Sequence, residues 1–248
     1  MDDLTVLIVL LSGLIILGSS IIKGISGFGT ALFALPILTM LFFTPLEVRP
    51  VVVTINLILN VFILIKERKL NAHNLNTLKP LVLAGFLAAL LTGFFLPRMD
   101  LSLFQILLGL LLVFTALNKL FNFRFNINHH RRYFIPMGIL GGALNTLIGA
   151  CGVPVLIFLS NTKIPKDEFR MDLLLFFFAL NTGSIISFLT TDSYPLTAVV
   201  LVLFLLPFAL LGSTIGMRVA GKVNDKVFTK IVASLLLIMG VNSLFQLF

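Results

Sequence analysis

The chain has 248 residues, of which 58% are hydrophobic and only 11% charged. A soluble domain of this size needs a charged shell that this composition does not supply, so an ordinary soluble protein is excluded. The net charge of +8 does not mark a nucleic-acid partner, because the basic residues stand in short connections between apolar runs, where they set membrane orientation.

The apolar runs are too long for strands and rich in Phe rather than alternating, which predicts helices and argues against a transmembrane barrel. Residues 4–44 are predicted as a hairpin. Its start carries Asp2-Asp3, no basic n-region and no Ala-x-Ala-like cleavage site, so it reads as a retained membrane segment rather than a cleaved signal. Crossings are expected at 50–65, 80–97 and 101–118. A second hairpin follows at 133–161, and further crossings at 170–190, 196–217 and 231–248. Most of these runs approach the ~20 helical residues that span a ~30 Å hydrocarbon core. The second hairpin offers only about 21 Å per leg at 1.5 Å per residue. It is therefore predicted to be re-entrant, a shape that survives only where protein or a water-filled cavity surrounds the break.

Charge gives the orientation. Three connections are basic: Lys66, Arg68, Lys69 and Lys79; Lys119, Arg124, Arg131 and Arg132; Arg218, Lys222, Lys226 and Lys230. The positive-inside rule makes them cytoplasmic. The nearly neutral connections at 98–100 and 192–195 and both termini then fall outside. Each half reads as one hairpin and three crossings, and three is odd, so the halves are oppositely oriented. A match at an offset of about 121 residues supports this: Glu47-Val-Arg49 with Glu168-Phe-Arg170, and Asn60 with Asn181. The hairpin tips Gly24-Ile-Ser-Gly27-Phe-Gly29 and Gly149-Ala-Cys-Gly152-Val-Pro154 correspond more loosely. The predicted fold is an all-α polytopic membrane protein of two inverted repeats, each a broken or re-entrant hairpin plus three transmembrane helices. The boundaries are 1–121 for the first repeat, 122–132 for a basic cytoplasmic linker and 133–248 for the second. Inverted repeats of secondary transporters place the substrate near the midplane, where broken helices meet.

The candidate site follows from that layout. Gly27, Gly29 and Gly152 sit at the hairpin turns, where glycine permits positive φ and close backbone approach. Pro154 suits the first position of a new helix. Free N–H groups at such a helix start form an anion site; the alternative is that the glycines simply let helices pack closely. Ser26, Phe28, Gly149 and Cys151 belong to the same two motifs. Arg49, Val53, Asn56 and Asn60 share one helical face, and Arg170, Leu174, Phe177, Asn181 and Ser184 repeat it. Asn56, Asn60 and Asn181 either line a pathway or hydrogen-bond between helices. Lys23, just before the first glycine motif, either attracts an anion or reaches headgroups. Arg49 and Arg170 stand near span ends and are expected to snorkel.

Every carboxylate lies at or near a segment end, Asp172 included, so no midplane acid is expected to serve a cation or a proton relay. His73, His129 and His130 are expected in solvated loops, and Cys151 as a small apolar filler. No metal, cofactor or nucleotide motif is read. A transporter is expected rather than an enzyme; the alternative is a membrane-embedded enzyme acting on a lipid or thiol.

Lys23-Gly-Ile-Ser-Gly-Phe-Gly29 with Pro36 resembles the first-repeat signature of the TauE/SafE sulfite exporter family, also called the toluene sulfonate uptake permease family. Gly141-Gly142, Gly149-Ala-Cys-Gly152-Val-Pro154 and Phe169-Arg170 resemble its second. The family usually has Gly or Thr where Cys151 stands and often Pro-Pro at Val153-Pro154. The resemblance covers essentially the whole chain. It implies transport of a sulfur-containing anion such as sulfite, thiosulfate or a sulfonate, in a bacterial or archaeal cytoplasmic membrane. The partners expected are a small anion and the lipid bilayer, with a homodimer left open and no nucleic acid.

Overall fold

The structure, a computed structural model, describes residues 3–67, 72–98, 100–121, 130–149, 155, 158–159, 166–223 and 225–245. Among the described residues there is no strand. The helices are α1 (Asp3–Ser26), α2 (Thr30–Leu41), α3 (Pro45–Glu67), α4 (Ala72–Thr92), α5 (Leu101–Phe121), α6 (Phe134–Ile148), α7 (Lys166–Thr190), α8 (Leu196–Val219) and α9 (Asp225–Phe245). A 3-10 segment, Gly93–Arg98, extends α4.

Five of them, α1, α3, α4, α7 and α8, contain stretches long and apolar enough to cross a membrane. Rows of apolar side chains point away from the protein, such as Leu83, Leu87 and Leu91 on α4 and Leu103, Ile106, Leu110 and Phe114 on α5. Exposed apolar surface on this scale is unsustainable in water and is the expected face toward lipid. The chain is an all-α polytopic membrane protein, as its composition predicts.

The first hairpin is uneven. Its first leg, α1, has 24 residues, about 36 Å of helix, whereas α2 has 12 residues, about 18 Å. In the second hairpin α6 has 15 residues, about 22 Å, close to the short leg predicted. The return leg lies largely outside the described residues.

Local chemistry sets several helix starts. Thr44 and Glu47 form a variant of the capping box: Glu47 Oε2 accepts from the Thr44 N–H at 2.9 Å and from its hydroxyl at 2.8 Å, fixing the entry to α3. Asp100 caps α5, accepting the Leu103 N–H at 2.7 Å. Asp192 adopts φ 52° in the tight turn between α7 and α8, a conformation Asp tolerates better than most residues.

Helices α3 and α7 form the centre. In their apolar windows 67% and 61% of residues are buried, against 39%, 28% and 33% for α1, α4 and α8. Glycines set how the outer helices meet them. Gly212 sits against Leu17 and Ser20, and Gly216 against Ile21 and Gly24, so α1 and α8 run parallel. Gly138 sits against Leu81 and Gly85, and Gly142 against Gly85 and Ala89, so α6 and α4 run parallel. Helices α5 and α9 run antiparallel: Gly109 meets Leu244 and Gly240, Gly240 meets Val113, and Ser243 donates to the Gln105 carbonyl at 3.1 Å. Helices α3 and α7 are antiparallel too, since Val53 packs with Phe188 while Ile63 and Leu64 pack with Met171 and Leu174. Exchanging α1 with α6, α3 with α7, α4 with α8 and α5 with α9 returns the same set of pairs.

The glycines of the two motifs stand at different places on their helices. Gly24 lies inside α1, whereas Gly149 lies just past α6. Gly27 and Gly149 each close the end of a helix: the Gly27 N–H bonds the Lys23 carbonyl at 2.7 Å, and the Gly149 N–H bonds the Asn145 carbonyl at 2.8 Å. Gly24 serves packing against Ser213 and Gly216 of α8.

Any side chain at Gly142 would run into the Gly85 carbonyl. Gly142→Leu is expected to destabilise the protein by about 1–3 kcal/mol through overpacking. The readout is the unfolding midpoint in detergent; an unchanged midpoint would show that α4 and α6 do not meet this closely.

Candidate functional site

Three glycines break the helices where the two hairpins meet, and each has positive φ: Gly27 at 82°, Gly29 at 121° and Gly149 at 66°. Only glycine takes all three conformations without strain. Between the breaks lies a cavity of about 30 Å³ whose lining includes Lys23, Phe28, Gly29, Asn56, Asn145, Gly149, Phe177 and Asn181. That volume holds one or two waters, so the space among the described residues is very small.

Lys23 is the central group. It is only 2% exposed, and its ammonium donates to Asn56 Oδ1 at 2.9 Å and sits 5.9 Å from the centre of the Phe177 ring. The reach toward headgroups left open by the sequence is therefore not what the side chain does. Across the cavity, Asn145 Nδ2 donates to Ser184 Oγ at 2.7 Å and to Asn181 Oδ1 at 3.2 Å. Thr146 joins the same network through Ser184 at 2.8 Å. The two central helices thus present amides from opposite sides, Asn56 on α3 and Asn181 on α7.

The electrostatics favour an anion. Helix α2 begins at the cavity with Gly29 as its cap and no side chain capping it, so its partial positive charge of about half a unit faces inward. The C-terminal ends of α1 and α6 bring about half a negative unit each. The full charge of Lys23 offsets those two, leaving the balance positive.

The remaining candidates have other places. Ser26 Oγ lies 2.8 Å from the Ile22 carbonyl and 2.7 Å from the Phe28 carbonyl, to either of which it donates. It pins the break rather than lining the cavity. Gly27 is buried against Arg170. Asn60 is fully buried, and among the described residues neither atom of its amide has a hydrogen-bond partner; it lies one turn beyond Asn56. Cys151, Gly152 and Pro154 lie outside the described residues.

Both arginines depart from the snorkelling expected. Arg49 is 2% exposed; its Nε donates to the Pro45 carbonyl at 3.1 Å and its guanidinium lies 5.0 Å from the Phe104 ring centre. Arg170 is half-buried and donates from Nη2 to the Gly24 carbonyl at 2.9 Å. Hairpin backbone at Gly24 accepts from Arg170, and the Pro45 carbonyl and the Phe104 face meet Arg49 inside the bundle. Asp172 stands near the start of its span, as expected, but is buried at 4% exposure; it does not line the cavity. Sequence reasoning missed Asn145. The available signal was an isolated Asn four residues before a helix-ending glycine, the position Lys23 holds before Gly27.

A family model described as Sulfite exporter TauE/SafE matches residues 11–243. No curated protein and no solved structure matches the chain.

Proposed function

The chain belongs to the TauE/SafE sulfite exporter family, and we propose that it exports a small sulfur-containing anion, such as sulfite, thiosulfate or a compact sulfonate, through the cavity between the two hairpin breaks. The observation that carries this reading is Lys23, a buried basic side chain lining a small cavity whose described walls include three asparagine amides, Phe side chains and glycine backbone. Amides donate to an anion's oxygens without adding charge, while the ammonium selects its sign. Among the described residues the walls contain no carboxylate.

In the same reading the protein is built of two inverted repeats joined by the basic linker at 122–132. The paired packing of α1 with α8 and α6 with α4, and the antiparallel pairs α3–α7 and α5–α9, support it, since a two-fold axis in the membrane plane requires them. The basic connections face the cytoplasm, and the membrane is the bacterial or archaeal cytoplasmic one. The cavity then lies between repeats, where secondary transporters bind substrate.

An anion leaving a cell that is negative inside gains about 2.3 kcal/mol per charge per 100 mV, a roughly fortyfold concentration ratio at 1.4 kcal/mol per tenfold. No coupling ion is needed. In proteoliposomes, flux of an anion whose charge is constant over the pH range used should follow a potassium–valinomycin potential and persist when the pH gradient is collapsed. Flux that needs the pH gradient and ignores voltage overturns the uncoupled mechanism and directs attention to Asp172. Absence of flux for every sulfur oxyanion tested, alongside flux of another solute, overturns the substrate class.

A further inference from the structure

We infer that Arg49 and Arg170 are paired positioning residues, each holding closed the hairpin break of the opposite half at opposite ends of the bundle. This rests on the inverted-repeat transporter reading above. Gly27 ends α1 with φ 82°, and a Cβ there would lie 3.0 Å from Arg170 Cγ. Gly149 ends α6 with φ 66°, and a Cβ there would lie 3.6 Å from Arg49 Cγ. Each break therefore has an arginine from the other half beside it; at Gly149 Leu35 is nearer still, its Cδ1 2.7 Å from a built Cβ. Both arginines stand four residues after the first residue of their helix, Pro45 for α3 and Lys166 for α7.

The antiparallel packing of α3 and α7 separates the two contacts. Arg170 neighbours Met171, which packs at the Ile63–Leu64 end of α3, roughly 20 Å along the axis from Arg49 at 1.5 Å per residue. The cavity lies between them. A pathway through the cavity has to pass one contact to reach each face of the membrane. A substrate bound between them reaches one face when one break moves off its arginine and the other face when the second does.

The two contacts are unequal in this conformation. Arg170 donates directly to the backbone of the first hairpin, from Nη2 to the Gly24 carbonyl at 2.9 Å. Arg49 donates to its own helix at Pro45 and lies over Phe104. Its Nη1 is buried without a hydrogen-bond partner among the described residues, and what it offers Gly149 is the proximity of its stem. A hydrogen bond from a charged donor is directional and breaks over a short displacement, whereas a packing contact yields gradually. The Arg170 end is the firmer closure.

The test reads access to the cavity and needs no substrate. In a Cys151→Ala background, Ala31→Cys places a thiol on the cavity wall. Right-side-out and inverted vesicles are labelled with a membrane-impermeant charged maleimide. Arg170→Gln should raise the labelling rate about tenfold from one face only, the scale expected for losing one charge-assisted hydrogen bond. Arg49→Gln should raise it from the opposite face only. Arg170→Lys and Arg49→Lys keep the stem and charge without the planar fork and should shift access on the same faces by less. If the Gln variants do not accumulate in membranes, the Lys variants carry the same comparison. Increases from the same face for both positions, equal increases from both faces, or parental rates in every variant that inserts overturn the proposal. Opposite faces assigned the other way round uphold the paired closures and overturn the topology instead. Opposite-sided access in a protein that moves no sulfur anion upholds the closures while removing the substrate reading.

Discussion

Lys23→Met should weaken binding of the transported anion by about 10- to 100-fold while the protein still inserts. Met nearly matches the length and volume of the lysine stem, so the change removes charge and donors rather than packing. A hydrogen bond to a charged group contributes about 1.5–3 kcal/mol, and each 1.4 kcal/mol is tenfold in affinity. Loss of the ammonium also leaves Asn56 Oδ1 without the 2.9 Å bond it now accepts, so part of the cost falls on stability. The two effects separate by measurement. Anion protection against thermal unfolding in detergent reports binding, and the midpoint without anion reports folding. Lys23→Arg keeps the charge but needs room for a planar fork in a cavity of about 30 Å³, and should bind the anion more weakly than the parent. Unchanged anion binding in Lys23→Met would remove the lysine from the site.

Gly29→Leu should bring transport per inserted molecule down by at least about a hundredfold. Three costs coincide. The backbone has φ 121°, which a side-chain-bearing residue takes only under strain of about 1–3 kcal/mol. The new Cβ would lie 3.0 Å from Ile22 Cγ2. The rest of the side chain would enter a space already nearly filled, and overpacking adds about 1–3 kcal/mol. Gly212→Leu is the contrast. Its Cβ would meet the Leu17 carbonyl and lie 3.0 Å from Ser20 Cβ, away from the cavity, so it should lower the amount of folded protein and spare transport per surviving molecule. Transport by Gly29→Leu within about threefold of the parent would mean that the substrate does not pass the start of α2.

Much of the molecule was legible before folding. The apolar runs announce helices because only a helix satisfies its own backbone inside lipid. The glycines at 27 and 29 announce a break because no other residue takes positive φ so cheaply; in the second motif the turn was read at Gly152, outside the described residues, while the positive φ among the described residues falls at Gly149. The polar faces of α3 and α7 were visible from their spacing. The roles of the arginines were not. Position along a helix gives depth, and depth alone favours snorkelling; the neighbours that make burial tolerable come from elsewhere in the chain. Phe104 is 55 residues beyond Arg49, and Gly24 lies 146 residues before Arg170.

The same distinction separates what each level decides. The sequence by itself determined that this chain lives in a membrane, that it is helical, that its helices break at glycine motifs in both halves, and that those motifs resemble one family. These are properties of local composition and period, and neighbouring residues suffice to express them. Only the tertiary structure decided that Lys23 turns inward to Asn56, that Asn145 rather than Asn60 completes the amide wall, and that Arg170 reaches the Gly24 carbonyl. Each depends on which helix faces which across the bundle. That is set by the summed packing of glycine-lined faces and buried hydrogen bonds, between residues far apart in the chain.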